Sequence, residues 1–416
     1  MGLFSCHLSC QRDDESQTGS NHLHSESSSS SISSQPSLPS LPSLTSPSQT
    51  HDEQAPTPTV QPKCIATLKN YSLFALALVG KVLYSGSSNG EIRAWRHDNQ
   101  TDNTVVATTN SAVKSLAVLG DKIFSAHQDS KIRVGKIHKH LEQKYKCIEV
   151  LPTLTDRFLK CFSEKNYVQV RRHKKRTWVH HVDAVSALAI SKDCSLLYSA
   201  SWDRTFKNWR TSDFKCLESV QNAHDDAINA IVISQDGFVY TGSADKTIKA
   251  RKKHTEKKNK HLLVATLEKH KSAVNALALS NDGTQLYSGA CDRSILVWER
   301  ESSVRGGLDR HMVLVGALRG HSKAILCLAV DAMDLICSGS ADKTVRIWRR
   351  SETNRKSYSC LAVLEGHKKP VKCLTVAVVN GDANIEGASE SGTTYIVYSG
   401  SLDYDIKVWQ VSAPVL

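Results

Sequence analysis

The chain has 416 residues, long enough for one large domain or for two to three of ordinary size. Its 53 Lys and Arg against 41 Asp and Glu leave a formal charge of +12. Apolar residues make up 40% and aromatics 6%, and the apolar run that opens the folded part, Leu73–Val79, is far shorter than the ~20 residues of a membrane helix, which excludes a multi-span membrane protein.

Residues 1–62 come first. They hold seven of the ten prolines, the serine run Ser27–Ser31 and the stretch PSLPSLPSLTSPS, with one basic residue against six acidic ones, a net charge of −5. Too little apolar surface is present to offset the entropy of ordering, so a disordered acidic tail is expected. Residues 63–416 then carry 52 basic and 35 acidic residues, or +17, so the basic character belongs to the folded part. The start MGLFSCHLSC has Gly2 followed by a small residue at Ser5, the pattern of a myristoylation start, but Cys6 stands where Ser or Thr is usual. Cys6 or Cys10 would take the second chain that stable anchoring needs, so membrane binding is expected only if this terminus is acylated. Ser46-Pro47 and Thr57-Pro58 are candidate proline-directed phosphorylation sites, and a tail folding back on a basic face would compete with partners. A basic segment leading into an apolar core is absent at the start, so cytoplasm, nucleus or both is the expected location.

From Lys63 onward one unit repeats. The segments KVLYSGSSNGEIRAW, KIFSAHQDSKIRVG, LLYSASWDRTFKNW, FVYTGSADKTIKAR, QLYSGACDRSILVW, LICSGSADKTVRIW and YIVYSGSLDYDIKVW align without gaps over their shared core. Each reads as an alternating strand, a tight polar turn and a second alternating strand, which is a β-hairpin. Most follow a strand opened by His-x-x-Ala-Val/Ile (HVDAV, HDDAI, HKSAV, HSKAI, and HKKPV with Pro), and an apolar strand such as VATLEKH precedes that His. The unit is therefore four antiparallel strands. The hairpins end at Trp95, Gly135, Trp209, Arg251, Trp298, Trp348 and Trp409, at spacings of 40, 74, 42, 47, 50 and 61. The 74 is one unit plus roughly 30 residues within Lys139–His180, and the 61 contains the loop-like insertion NGDANIEGASESG.

These residues resemble the WD40 family over positions 63–411, which implies an all-β, seven-bladed β-propeller with a disordered N-terminal tail and a short C-terminal tail at 412–416. Seven units result if Lys63–Leu68 supplies the outer strand of the last blade, closing the ring and removing free edges. The alternative is an eighth, thin blade built on YVQVRRHKKRTWVHH. Stretches such as GDKIFSAHQDSKIRV, NYVQVRRHKKRTWVHHVDAVSALA and CLESVQNAHDDAIN look like the plant JINGUBANG-like WD40 proteins. That resemblance implies a plant regulatory protein acting through protein partners, without enzymatic activity or cofactor.

Four blades carry complete sets of His, Ser, Asp and Trp: His181/Ser199/Asp203/Trp209, His270/Ser288/Asp292/Trp298, His321/Ser338/Asp342/Trp348 and His367/Ser399/Asp403/Trp409. Ser, His and Asp together invite a hydrolase reading. Repetition argues against it, because one site needs one triad whereas every blade needs its turn fixed. The WD40 resemblance implies a structural relay in which Asp accepts from the His ring, His bonds the Ser hydroxyl, and that hydroxyl bonds the Trp indole. Blade one has Asn89 for Asp, blade two Gly135 for Trp, and the blade with His224, Thr241 and Asp245 ends in Arg251, so these three are expected to open more easily.

Twelve cysteines form no C-x-x-C pair and no metal spacing, so reduced thiols and no metal site are expected. Cys64, Cys147, Cys216 and Cys360 recur at one strand position, read as a packing site for a small apolar side chain. Two surfaces are candidates for partners. One is a basic face of Arg171, Arg172, Lys174, Lys175, Arg176, Arg251, Lys252, Lys253, Lys257 and Lys258, suited to an acidic or transcription-factor partner. Nucleic acid is disfavoured because no stacking aromatics are interleaved. The other is the opposite face, with Trp202 and Arg204 as anchor and Asp183, Asp226, Lys323 and Lys369 around it. Either surface suits a non-enzymatic interaction scaffold, a regulatory adaptor in plant signalling or transcriptional control. The alternative is a ubiquitin-ligase substrate receptor, disfavoured because the terminal Trp residues are followed by Arg96, Arg210, Glu299, Arg349 or Gln410 and no Trp-Asp-x-Arg box closes a blade.

Overall fold

A computed structural model describes residues 41–45, 62–96, 103–137, 145–171, 174–254, 260–301, 312–331, 335–351, 357–379 and 392–414. Residues 43–416 form one unit. Each repeat becomes a four-stranded antiparallel sheet, with strands a to d running from the centre outwards. Blade 1 is Leu73–Val79, Val82–Ser87, Glu91–Arg96 and Asn103–Thr108. Blade 2 is Val113–Leu119, Lys122–His127, Ile132–Ile137 and Tyr145–Leu151. Blade 3 is Val185–Ile190, Leu196–Ser201, Phe206–Arg210 and Cys216–Val220. Blade 4 is Ile228–Ile233, Phe238–Ser243, Ile248–His254 and Lys260–Leu267. Blade 5 is Val274–Leu279, Gln285–Ala290, Ile295–Arg300 and Met312–Leu318. Blade 6 is Ile325–Val330, Ile336–Ser340, Val345–Arg350 and Tyr358–Leu364. Blade 7 is Val371–Val379, Gly392–Ser401 and Asp405–Pro414, with Lys63–Lys69 as its outer strand.

Strand a of each blade packs beside strand a of the next, and that of blade 7 returns to blade 1. The fold is a seven-bladed β-propeller. The N-terminal strand closes it, pairing Lys63 with Gln410 and Lys69 with Asp405. The sheet of blade 7 continues to Pro414, three residues beyond the boundary expected at Val411.

Turn chemistry explains why the hairpins form. In blades 3 to 7 the residue after the turn Asp, namely Arg204, Lys246, Arg293, Lys343 or Tyr404, has φ between 66° and 74°. The Asp carboxylate offsets that strain by accepting the N–H of the next residue, as from Thr205 at 2.9 Å and Thr344 at 3.0 Å. Between blades the approach is close. A Cβ added at Gly339 of blade 6 would lie 2.8 Å from Val371 Cγ1 of blade 7, and 2.6 Å from Cys327 Sγ of its own blade.

The segment offered as the alternative eighth blade forms a hairpin of two strands only, Tyr167–Arg171 with Lys174–Thr177. Ahead of it lies a helix, α1 (Leu154–Cys161), capped by the Thr153 hydroxyl accepting from Asp156 N at 3.1 Å. The buried Asp156 carboxylate docks this insertion by accepting from Cys216 N at 2.8 Å.

Most of residues 1–62, including Gly2, Cys6, Cys10, Ser46 and Thr57, lies outside the described residues. The expectation of disorder is corrected at Ser43–Thr45, which bridges Ala317 and Tyr358 at the ring's edge. Leu44 reaches an apolar pocket there, which composition averaged over the tail hides.

The recurring cysteine position is also corrected. Cys64, Cys147, Cys216 and Cys360 do occupy one register position, opposite Trp409, Gly135, Trp209 and Trp348, but only Cys216 is buried. A register shift falls beside each of the four, and each thiol donates to the carbonyl two residues on at 3.5–3.8 Å. The insertion that docks through Asp156 covers Cys216, and the other three side chains face outward, so core packing does not select them.

Candidate functional site

The four complete sets form hydrogen-bonded chains within single blades. In blade 3 Trp209 Nε1 donates to Ser199 Oγ at 2.9 Å, Ser199 Oγ donates to His181 Nε2 at 2.8 Å, and His181 Nδ1 donates to Asp203 Oδ2 at 3.0 Å. Blade 5 repeats the links through Trp298, Ser288, His270 and Asp292 at 2.8, 2.8 and 2.9 Å. In blade 6 Trp348 donates to Ser338 Oγ at 2.9 Å, Ser338 to His321 Nε2 at 2.8 Å, and His321 Nδ1 to Asp342 at 2.8 Å. In blade 7 Trp409 donates to Ser399 Oγ at 2.8 Å, Ser399 to His367 Nε2 at 2.8 Å, and His367 Nδ1 to Asp403 Oδ2 at 3.0 Å.

Burial pushes the His181 and His367 rings below their usual pKa, which keeps them neutral. Burial alone would raise the Asp203, Asp292 and Asp342 carboxyls, but the facing His rings outweigh it and hold them well below the carboxylate range. Ser199, Ser288, Ser338 and Ser399 are all 0% exposed, each enclosed between an indole and an imidazole. All four hydroxyls are shut away from solvent, so the hydrolase reading of the Ser-His-Asp sets finds no reachable nucleophile in them.

The blades that depart from the pattern substitute for it. In blade 1 Asn70 Nδ2 takes the histidine's place, donating to Ser85 Oγ at 2.8 Å, while Trp95 donates to the same oxygen at 2.8 Å. In blade 2 His127, from the end of strand b, bonds Ser125 at 2.8 Å. Blade 4 keeps His224 on Asp245 and Thr241, both at 2.8 Å, without an indole. Arg251 in the Trp position is buried and donates to Ala223 O at 2.8 Å, so it does not belong to the basic face. The strand register sets it opposite Val239, where five other blades point their indole inward, and a backbone carbonyl there takes one guanidinium N–H while the buried Nε has no partner among the described residues.

The rest of the basic face is only partly described. Lys175, Arg176 and Lys253 are exposed, and Lys252 is half-buried with Nζ 4.6 Å from the Phe238 ring. The side chains of Arg171 and Lys174, and residues Arg172, Lys257 and Lys258, lie outside the described residues. On the opposite face Arg204, Asp183, Asp226, Lys323 and Lys369 are exposed. Asp183 and Asp226 accept from Ala184 N and Ala227 N at 2.7 Å, and Lys369 Nζ stands 5.4 Å from the Tyr404 ring. Trp202 is half-buried, above the end of strand a of blade 2.

The sequence alone does not reveal what Trp202 meets. Every strand a carries a β-bulge at its second residue: Phe74, Lys114, Ser186, Asn229, Asn275, Leu326 and Lys372. A bulge re-aims its side chain, and here seven side chains are re-aimed at one end of the central channel. In blades 3 to 5 the polar group is consumed as a staple, as when Asn229 and Asn275 donate to Val274 O and Ile325 O at 3.0 and 2.8 Å. In blades 7, 1 and 2 the bulge residues are Lys372, Phe74 and Lys114. Lys114 Nζ lies 4.3 Å from the Phe74 ring and 5.3 Å from the Trp202 ring. Burial, with Lys372 close by, brings its pKa down to about 8. One side of the channel mouth is thus a cation–aromatic cluster, the other neutral. A second feature missed in the sequence is α1 with its C-cap, Phe162, which together expose Leu154, Phe158, Leu159 and Phe162. Their i, i+4 spacing was the available signal.

A ring of seven blades whose Ser-His-Asp sets are sealed into the scaffold, with side chains gathered at the channel mouth, defines a propeller of the interaction-module class. The family model for the WD domain, G-beta repeat, matches residues 172–210, 214–250, 262–299, 312–349 and 358–410, and the chain is a WD40-repeat β-propeller. Blades 1 and 2, which lack the turn Asp or the Trp, fall outside those matches. Zinc finger CCCH domain-containing protein 62 of Arabidopsis thaliana is 29% identical over 40% of this chain and 37% of its own length. Autophagy-related protein 16 of Arabidopsis thaliana is 27% identical over 48% of this chain and 36% of its own. Elongator complex protein 2 of Dictyostelium discoideum is 27% identical over 29% of this chain and 16% of its own, so the chain spans well under half of each relative. The crystal structure of the WD40 beta propeller domain of Doa1 superposes with a TM-score of 0.59 at 20% identity, covering 84% of this chain and 97% of that one, a likeness of fold alone.

Proposed function

We propose that this propeller is a non-enzymatic regulatory adaptor in plant signalling or transcriptional control, working in the cytoplasm, the nucleus or both, and that it holds an acidic protein segment at the channel mouth. The observation that carries this reading is the Lys114 ammonium set between Phe74 and Trp202, with Lys372 alongside. A half-buried cation keeps more of its attraction for a carboxylate than a surface lysine does, because solvent screens it less. The flanking rings supply the rigid apolar area on which interface anchors depend. Arg204 at the rim and the exposed Lys323 and Lys369 extend the positive sector, while Asp183 and Asp226 mark the side an acidic segment avoids. The plant assignment rests on the JINGUBANG-like stretches, and two relatives from Arabidopsis accord with it.

The test uses immobilised acidic peptides, read at low and at moderate salt, against the wild-type chain, Lys114→Gln with Lys372→Gln, and Trp202→Ala. Binding that falls at least tenfold in both variants, with unchanged melting temperature, supports the channel mouth. Binding retained in both variants overturns it.

A further inference from the structure

The outer rim holds a second recognition site. Strand d is the last strand of each blade, and its free edge offers unpaired backbone groups. Between blades 5 and 6 that edge is used. Ser43 bridges Ala317 of blade 5 and Thr45 bridges Tyr358 of blade 6, both in parallel. Leu44 N donates to Ala317 O at 3.0 Å, and Leu44 O accepts from Tyr358 N at 2.9 Å, so one residue spends its two backbone groups on two different blades. Its side chain is 8% exposed, within the cluster of Tyr287, Val297, Leu318, Trp348 and Tyr358. The hydroxyls of Ser43 and Thr45 bond each other at 2.8 Å across the exposed side, which fixes the extended shape.

The seam between blades 3 and 4 shows why a gap exists here. In that seam His261 occupies the register position of Tyr358, each opposite the second residue after the Trp or Arg that ends the hairpin. Its N–H is capped within the fold by Glu218 Oε1 at 3.0 Å, and its ring by Glu218 Oε2 at 2.6 Å. Glu218 pairs with Asn208, the residue before Trp209, and the blade 5 residue at that position, opposite Val297, is Gly316. Glycine supplies no side chain, so Tyr358 N–H lacks the cap that its counterpart has and a notch is left beside it. Leu44 fills the notch and its carbonyl replaces the carboxylate.

We infer that the seam between blades 5 and 6 is a peptide-docking groove that recognises an extended Ser/Thr-Leu-Ser/Thr segment by strand addition and one leucine pocket, and that this chain's own Ser43–Thr45 occupies it in cis. The class of recognition is strand addition, in which backbone bonds give affinity and the buried side chain gives selectivity. A contact of three residues is weak between separate molecules. Attachment through residues 46–62 to the first strand of the ring makes it intramolecular, at an effective concentration on the order of millimolar for a short tether. A partner segment of the same chemistry then competes with the tail, and the groove is independent of the channel mouth.

The test keeps the full chain. A fluorescent peptide of residues 37–48, SLPSLPSLTSPS, is titrated to about 1 mM, in the range of that effective concentration, against wild type and Leu44→Asp, with a control peptide whose three leucines are aspartates. Leu44→Asp lies in the tail and empties the groove without touching the ring. The expected result is peptide binding at least tenfold tighter to the variant than to wild type, no binding of the control, and amide exchange at Tyr358 at least tenfold faster in the variant. Equal binding to both proteins, or unchanged exchange at Tyr358, overturns the groove. A wild-type dimer that Leu44→Asp dissociates overturns occupancy in cis and assigns the segment to a second copy.

Discussion

Removing the central hydroxyl of a relay tests how much the buried chain contributes, and two blades make the comparison internal. In blade 5 Ser288 Oγ accepts from Trp298 Nε1 and donates to His270 Nε2, both at 2.8 Å, and all three residues are buried. Ser288→Ala strands an indole N–H and an imidazole nitrogen away from water. At about 1–3 kcal/mol for each buried group left unpaired, the loss is about 2–6 kcal/mol. In blade 4 the Thr241 hydroxyl bonds His224 at 2.8 Å and the Lys249 carbonyl at 3.4 Å, and no indole reaches it because Arg251 stands in that place. Thr241→Val keeps the shape and strands one group, for a loss of about 1–3 kcal/mol. Urea unfolding gives the global loss, and amide exchange of strands b and c reports the affected blade even where unfolding of the ring departs from two states. Equal losses in the two blades would refute the claim that the indole link adds a separate increment.

Further predictions concern pH and packing. Burial, helped by Arg133, brings the His127 pKa down to about 4, below the ~6.5 of an unfolded chain. The unfolded state therefore takes up the proton first as pH falls, so this stability is complete above pH ~6.5 and is lost towards pH 4, on the order of 3 kcal/mol at ~1.4 kcal/mol per pH unit. His127→Gln should flatten the fall in urea midpoint between pH 7 and 4.5, and an identical slope would dismiss the histidine as its source. Gly339→Ala forces a methyl against Cys327 and Val371 and should cost about 1–3 kcal/mol in thermal or urea unfolding; no change would mean the seam relaxes freely. Because Lys114 titrates at about 8, acidic-peptide affinity at the channel mouth should decline as pH rises from 7 to 9, and Lys114→Arg should remove that decline.

Much of the scaffold was legible in the residues themselves. A hairpin with Ser or Thr, Asp and Trp at fixed offsets is specified locally, because turn conformation, strand alternation and side-chain reach all act within about twenty residues. Seven such units, with Lys63–Lys69 at hand to complete the last sheet, leave little freedom but to close a ring. The channel mouth was not legible in this way. Phe74 and Lys372 become neighbours only when blade 7 meets blade 1, and a bulge position accepts almost any residue, so neither periodicity nor composition marks it. Arg251 counted as one more exposed base until the fold buried it, and Cys64, Cys147 and Cys360 counted as core although the fold leaves them exposed on the outer strand. Leu44 is the clearest case. Nothing in a Ser/Pro tail distinguishes one leucine from its neighbours, and what selects it is a glycine more than 270 residues later that leaves a backbone N–H uncapped between two blades. Sequence by itself determined the repeating unit and the ring, because those interactions are local and repeated. Tertiary structure alone decided which unlike residues the ring brings together, because each such meeting depends on distant chain segments sharing one edge or one end of the channel.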